Sequence, residues 1–522
     1  MSLIKSITTV GGWTMISRVT GFLRDIATAD ILGASAVADA FFVALRLPNL
    51  FRRLFAEGAF SAAFVPIFSG HLAVNDKEEA RKFAEKSLCF LTFILLIFVV
   101  LIEILMPYLM PYFAPGFDKI AGKLELTTKL CRITFPYLLF ISLVSFQSGV
   151  LNSLGKFAAP AAAPIFFNVT GILALYLLSP WTETPAHALS IGVALSGIIQ
   201  MLWLSFNIKR EGFKIKIYPS FFLKGIPEDI KNLFKKILPG VFGAGIYQIN
   251  LVVDTILVSL VADGAVSWLH YSNHLIQLPL GVVGIAVGTA LLPMLSKAIK
   301  SGNHDEALKL QNKSLEISLL LTVPASCAFI VLAKPIVATL FEHGAFGQAE
   351  TIATANAVIA FSLGIPAYVI AKVFGPSFFA QGDTVTPVKI SVICLFANII
   401  LNVALMFPFG HVGIAMATTI SAWLGAFIMG IKLKKKNYFN IDKKRKTRIM
   451  KIVLASGIMT AYLVLVQYGL NLWNHNWLDT VGFIRLGLFF GLILTGLLVF
   501  VFAALMVKAT DIAEFKRAFK RG

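Results

Sequence analysis

Charged residues are scarce in this chain of 522 residues. Only 14% of the residues are charged, 57% are apolar, and the mean hydropathy is +0.81. In soluble globular proteins about 25% of residues are charged, so this composition excludes that class. The apolar residues instead fall in runs of about 20, the length of helix that spans a bilayer. The sequence therefore predicts an all-α integral membrane protein that crosses the membrane many times.

Cysteine is rarer still, and a nucleotide-binding motif is missing. The four cysteines fall in or beside apolar runs, so we expect buried packing residues and no disulfide: Cys89, Cys131, Cys327 and Cys394. The nearest match to a phosphate-binding loop, Gly149 to Phe157, ends on Phe where Ser or Thr should hold magnesium. Any active transport must then draw on an ion gradient, the membrane potential or the gradient of the substrate itself.

Positive charge is concentrated in alternate loops between fourteen predicted spans. The spans are residues 8–30, 37–70, 88–112, 130–152, 160–179, 187–206, 237–261, 267–296, 314–333, 351–379, 387–407, 411–431, 450–470 and 484–507. One set of loops and ends holds 33 Lys and Arg, and the other set holds four: Lys119, Lys123, Lys129 and Lys334. Because basic loops stay in the cytoplasm, both termini are predicted to be cytoplasmic. This asymmetry also accounts for the net charge of +19 without nucleic acid as a partner.

An internal repeat divides the sequence. Pro66 to Ser69 recurs as Pro293 to Ser296, and Gly155 with Pro160 recurs as Gly382 with Pro387, each displaced by 227 residues. An even number of spans per copy predicts two parallel six-helix lobes around a central cavity, followed by two C-terminal helices. The predicted boundaries are an N-lobe at 1–212, a cytoplasmic amphipathic linker at 213–236, a C-lobe at 237–436, a basic cytoplasmic loop at 437–449, two spans at 450–508 and a cytoplasmic tail at 509–522.

The first two spans carry many ionisable residues, which must face protein or water inside a membrane. Three of them, Arg18, Arg24 and Arg52, have no evident partner one turn away, so we expect them to face an anionic ligand. Two others, Asp25 and Asp30, are expected to be solvated at the outer end of the first span. The remaining members are Asp39, Arg46, Arg53 and Glu57, of which Arg53 and Glu57 have the spacing of a helical ion pair.

Oxygen-bearing side chains also occur within the predicted C-lobe spans. Asn398 and Asn402 lie one turn apart on one helix face, Asp254 lies within an earlier span, and Thr418 lies in the following one. Carboxylate, amide and hydroxyl oxygens are ligands of hard cations. The same residues are equally suited to hydrogen bonding between helices. The residues alone leave both interpretations open.

Several uninterrupted motifs closely resemble the MurJ/MviN family of lipid II flippases, and the resemblance covers essentially the whole chain. The motifs are Ser17 to Asp25, Asp39 to Ala44, the specific block from Pro48 to Phe60, Gln277 to Gly281, and Gly382 to Pro387. The family belongs to the superfamily of multidrug and oligosaccharidyl-lipid exporters. Membership implies a flippase of the bacterial cytoplasmic (inner) membrane, not an enzyme, that moves lipid II by alternating access. It also implies other proteins of cell-wall synthesis as partners.

The resemblance also assigns residues. It implies that Arg18, Arg24 and Arg52 contact or support binding of the diphosphate region, that Asp39 and Glu57 shape the gate, and that the last two spans flank a groove for the lipid tail. The candidate substrate-binding residues are these five together with Arg53 and His274. The resemblance matches Asp254, Asn398, Asn402 and Thr418 to a sodium site of some members, with Na⁺ as the coupling ion and no other cofactor. One departure is His274, which stands where family members usually carry a substrate-binding Arg.

Two rival functions remain at this point. An exporter of another polyprenyl-linked glycan or of drugs would use the same fold. A membrane-embedded glycan polymerase would need catalytic acids or bases on the outer face, where the short loops offer little beyond Asp263 and His411.

Overall fold

The computed structural model of the chain describes residues 3–53, 60–74, 77–213, 215, 227–473, 477–479 and 482–510. Within these ranges the regular structure is entirely helical. Seventeen α-helices follow one another as α1 Leu3–Leu32, α2 Ala36–Arg52, α3 Ser61–Ala73, α4 Lys77–Phe113, α5 Lys123–Thr134, α6 Tyr137–Ser153, α7 Ala158–Leu178, α8 Pro185–Arg210, α9 Glu228–Ser259, α10 Ala265–Lys300, α11 His304–Val331, α12 Ala333–Phe341, α13 Gln348–Ser362, α14 Ile365–Ala380, α15 Val385–Lys435, α16 Lys443–Trp473 and α17 Phe483–Met506.

Many of these helices are long and apolar enough to cross a membrane. Among the described residues eight helical segments meet that condition, and the bent pair α13 and α14 makes a ninth. The chain is therefore a multi-pass membrane protein. Helix α2 is not among the eight because it has only 17 residues, and arginine and aspartate interrupt the apolar sequence of α1. The count of fourteen spans stays a prediction.

Helix α15 is a hairpin of two helical arms that meet at a non-helical residue. A straight helix of 51 residues would be about 76 Å long. Lys436, directly after its last residue, nevertheless donates a hydrogen bond of 2.6 Å to Asp383, just before its first. The chain turns back at Gly410, whose φ of 57° and ψ of −134° are not helical. The two arms correspond to the predicted spans 387–407 and 411–431.

The predicted internal repeat is confirmed by the positions of helix ends. Five ends recur at a displacement of 227 residues. The pairs are the last residues of α1 and α9 (Leu32, Ser259), the last of α3 and α10 (Ala73, Lys300), the first of α4 and α11 (Lys77, His304), the last of α6 and α14 (Ser153, Ala380), and the first of α7 and α15 (Ala158, Val385). Helices therefore begin or end at equivalent residues of the two copies at these five positions.

The local backbone repeats as well. Helix α6 ends where Gly155 adopts a φ of 73° and Lys156 donates its N–H to the carbonyl of Leu151. Helix α14 ends in the same way, with Gly382 at a φ of 75° and Asp383 donating to Phe378. This left-handed glycine closes the last helical turn at low steric cost.

An ion pair follows each of these turns, with its charges reversed between the copies. Lys156 pairs with Glu211 at the end of α8 at 3.0 Å, whereas Asp383 pairs with Lys436 at the end of α15 at 2.6 Å. The repeat thus preserves the contact and not the residue types.

The chain forms two compact units. The first contains residues 1–267 together with 344–346, and the second contains the remainder. In the first unit the Phe64 ring packs against those of Phe68, Phe83 and Phe146, with centroids 4.9 to 5.6 Å apart. The core of the second unit includes Leu291, Leu295, Leu319, Val373, Phe374 and Phe378. Cys89 and Cys131 are buried, as predicted, whereas Cys327 and Cys394 are only half-buried; all four are free thiols.

Candidate ligand-binding site

Arg24, one of the predicted ligand-binding arginines, is held by two polar side chains and an aromatic ring. Its Nη2 and Nε donate to Asp25 Oδ1 at 2.7 and 3.3 Å, and its Nη1 donates to Asn168 Oδ1 at 3.2 Å. The guanidinium also lies 5.1 Å from the centre of the Phe167 ring. These contacts use three of the five N–H donors of arginine. Two N–H groups remain that can bind an anion.

Asn168 fixes the position of Arg24 relative to its own helix. The amide nitrogen of Asn168, on α7, donates to the carbonyl of Ser17 at 2.9 Å and to Thr20 Oγ1 at 3.2 Å, both on α1. Gly21 lets α1 and α7 approach, because an added Cβ there would lie 3.3 Å from the Asn168 side chain. The arginine is therefore held by a polar network across two helices.

A small cavity adjoins this network inside the first unit. It is lined by Arg24, Asp25, Thr28, Phe41, Phe42, Leu45, Phe167, Gly171, Leu189 and Val193. It has room for little more than a water molecule. The space is polar at Arg24 and Asp25 and apolar elsewhere, and it cannot by itself enclose a large ligand.

Two expectations about these charges are wrong. Asp25 is only 2% exposed instead of solvated, because it is the counter-ion of Arg24. Arg52 has a partner within one turn, since its Nε donates to Asn49 Oδ1 at 3.1 Å. Sequence spacing of three or four residues did not reveal the first pair because its members are adjacent in the chain.

The remaining predicted arginines differ in their surroundings. Arg18 is half-buried on α1, and within the described ranges it makes no hydrogen bond or ion pair. Arg53 is exposed at the end of α2. Glu57 lies outside the described residues, so its pairing with Arg53 stays a prediction.

Asp39 lies in a buried cluster that the sequence did not indicate. Its Oδ2 accepts a hydrogen bond from Lys123 Nζ at 2.9 Å and from the Gly264 N–H at 2.8 Å. Its Oδ1 accepts from the Ser267 N–H at 2.9 Å and from Ser267 Oγ at 2.7 Å. Lys123 also contacts Asp263 at 2.5 Å. The span prediction had placed Lys123 in an outer loop, yet its side chain is 2% exposed.

Asp254 lies on α9 in the first unit. Its Oδ2 accepts a hydrogen bond from Asn250 at 3.1 Å. Arg46 interacts electrostatically with Asp254 and donates at 2.9 Å to the neighbouring Thr255. A cation at this carboxylate would therefore share it with an arginine.

The other predicted cation ligands lie together in the second unit. Asn402 Nδ2 donates to Asn398 Oδ1 at 2.9 Å, and Asn398 Nδ2 lies 3.5 Å from Thr418 Oγ1. Both amides are almost completely buried, at 2% and 0% exposure. His274, also in this unit, is half-buried and stacks on His270 with ring centroids 5.1 Å apart.

The fold and the arginine-bearing helix pair define a class, the multi-pass membrane transporters. A solved structure described as "Lipid II flippase MurJ, inward closed conformation" matches with a TM-score of 0.79 and 29% identity, over 96% of this chain and 98% of that one. An inward-facing transporter of the multidrug MATE family has the same fold, with a TM-score of 0.67 and 15% identity over 82% and 98% of the two chains.

Sequence relatives identify the family within that class. A probable lipid II flippase MurJ of Rhizobium tropici is 36% identical over 531 residues, covering 100% of this chain and 97% of the relative. The family profile described as lipid II flippase MurJ matches residues 28–506. The chain belongs to the MurJ family of lipid II flippases.

Proposed function

We propose that this protein moves lipid II from the cytoplasmic to the outer leaflet of the bacterial inner membrane by alternating access. Lipid II carries a diphosphate between an isoprenoid tail and a disaccharide-pentapeptide. The observation that carries the proposal is Arg24, a membrane-embedded arginine oriented by Asp25 and Asn168 with two N–H groups to spare. Arginine binds phosphate oxygens through paired hydrogen bonds, which suits it to this headgroup.

Two other arginines are proposed to bind the same group. Arg18 lies on α1 and Arg52 lies on α2, the helix that also carries the Asp39 motif, and we assign both to the diphosphate region with Arg24. Arg53, Glu57 and His274 complete the proposed substrate-contacting set. The cavity beside Arg24 is too small for the headgroup. The headgroup therefore needs space beyond this cavity.

The proposed topology has fourteen spans, cytoplasmic termini and two six-helix lobes. The 33 to 4 distribution of Lys and Arg supports this orientation. The repeated helix ends support two equivalent copies, and the two arms of the α15 hairpin supply two of the predicted spans. The last two spans, α16 and α17, form the proposed groove for the isoprenoid tail.

Sodium is the proposed coupling ion, with Asp254, Asn398, Asn402 and Thr418 as ligands. The contacts among the buried amides and Thr418 support a preassembled part of the site. Asp254 would supply the negative charge. Interhelical hydrogen bonding alone is the competing role for these residues.

Genetic replacement tests the proposed function. The chromosomal lipid II flippase of a bacterium is placed under a repressible promoter, and this chain is supplied from a plasmid. We expect growth and normal cell shape on repression. An R18A/R24A/R52A variant, with membrane expression checked by immunoblot, is the negative control. Lysis of cells that express the parent chain in the membrane would contradict the proposal.

A further inference from the structure

Lys123 is the most deeply buried cation among the described residues, and the proposed transport cycle so far gives it no role. Its ammonium contacts the carboxylates of Asp39 and Asp263 and lies 4.0 Å from the centre of the Phe117 ring. An ammonium placed there must be compensated by several groups, because burial of a charge is costly. Two carboxylates and an aromatic face provide that compensation.

Asp39 has a second function in the same cluster. Its carboxylate accepts hydrogen bonds from the N–H of Gly264, which directly precedes α10, and from the N–H of Ser267 in the first turn of α10. A negative charge at a helix N-terminus is stabilised by the unpaired N–H groups and the helix dipole. Gly264 has a φ of 86°, a conformation that glycine adopts at little cost. Helix α10 begins at the next residue, so its N-terminus lies beside Asp39.

The cluster joins parts of both sequence repeats. Asp39 and Lys123 come from α2 and α5 of the first copy, whereas Asp263 and Ser267 flank the turn that joins α9 to α10 in the second copy. A neighbouring contact closes the same end: Gly116 donates to Ser259 Oγ at 3.2 Å, and a Cβ at Gly116 would lie 1.8 Å from the Ser259 carbonyl oxygen. These contacts, all within the first compact unit, therefore join residues of both copies on the side that the topology places outside.

We infer that Lys123 is a positioning residue of the flippase, whose charged contacts with Asp39 and Asp263 hold the outer side closed and must break for the substrate to leave. The inference rests on the proposed function and its topology. Lys129 provides a matched control, because it lies on the same helix but makes an exposed pair with Glu125 at 3.4 Å.

Solvent access to a buried position measures closure directly. Val266, fully buried beside Ser267, is replaced by cysteine in the full-length chain, and intact cells are treated with a membrane-impermeant maleimide. The parent with its four natural cysteines gives the background. Loss of one partner of a buried ion pair should shift the open population, so K123M should raise the V266C labelling rate at least about tenfold.

Further variants separate closure from stability. K123R retains the charge and should label within about twofold of V266C alone, a range that stays below a tenfold population shift, and K129M should not change the rate. D263N keeps Asp39 as counter-ion, so it should fold and label faster than V266C alone. Folded K123M that labels at the V266C rate, even with a lower unfolding temperature, would overturn the inference. If K123M is not recovered folded, D263N at the V266C rate overturns it.

Labelling and transport are scored separately. If K123M and D263N raise the V266C labelling rate as expected but the parent chain does not support growth of the flippase-depleted strain, the substrate assignment is wrong and the role of Lys123 in closure stands. If the parent supports growth but substitution of Lys123 does not change the labelling rate, the role of Lys123 in closure is wrong and the flippase assignment stands.

Discussion

Arg24 combines two roles that the sequence had separated. It was predicted to be an arginine without a local partner, free to bind a ligand. In the structure it neutralises Asp25, which is buried, and still has donors available for an anion. Loss of function in an Arg24 variant could therefore arise from lost binding or from a carboxylate left without its counter-ion.

A double substitution separates the two roles. R24M alone should lower the free energy of unfolding by about 3–5 kcal/mol, because it leaves Asp25 buried and charged. R24M/D25N should recover most of the stability but still fail to support growth of a flippase-depleted strain. Thermal unfolding in detergent and growth on repression are the two measurements. Growth supported by R24M/D25N would remove Arg24 from the binding site.

The ends of helices α6 and α14 show which features the two copies of the repeat share. The turns after α6 and α14 share their glycine conformation and are each tied to the end of a later helix by an ion pair of opposite polarity. A comparison of residue types would have missed this equivalence, since Lys156 corresponds to Asp383 and Glu211 to Lys436.

Because the two ion pairs have opposite charge order, we expect that the charges of Lys156 and Glu211 can be exchanged without loss of stability. K156E places two like charges together and should lower the unfolding temperature by about 1–3 °C, the range of a partly exposed pair. K156E/E211K should restore the parental value. An exposed control, K129E, tests whether any lysine reversal has the same effect. No recovery in the double variant would show that the contact depends on more than charge.

Acid should weaken the second of these pairs. The hydrogen bond from Lys436, assisted by the Thr386 N–H, lowers the pKa of Asp383 to about 2. A folded-state pKa below the reference value of 3.8 means that the stabilisation is complete above about pH 4 and is lost as pH falls towards 2. Thermal unfolding of the parent and D383N should therefore differ at pH 5 and converge near pH 2. A constant difference would contradict this assignment.

At the scale of the whole molecule, the sequence predicted features that depend on neighbouring residues, but it did not predict contacts between residues far apart in the chain. Hydropathy and the 227-residue displacement predicted a helical, duplicated membrane protein, and helix ends confirm the displacement. The Asp39–Lys123 contact joins residues 84 positions apart, and Arg24–Asn168 joins residues 144 apart. A single sequence carries no signal for such pairs because periodicity reports only neighbours along one helix.

Ion coupling is also a property of the whole molecule. If sodium binds at the proposed site, sodium chloride should raise the unfolding temperature relative to choline chloride, because a ligand of the folded state stabilises it by mass action. D254N should abolish the difference. D229N, which alters an exposed ion pair with Lys86, should retain it. No sodium effect in the parent would exclude this coupling site.

The transbilayer distribution of lipid II tests the central claim most directly. Cells depleted of their own flippase and expressing this chain are converted to spheroplasts, and a membrane-impermeant lipid II-cleaving enzyme is added outside. If the chain is the flippase, lipid II should be cleaved as in undepleted cells, whereas cells with R18A/R24A/R52A should retain it intact in the cytoplasmic leaflet. Intact, protected lipid II in cells that contain the parent protein in their membrane would contradict the account.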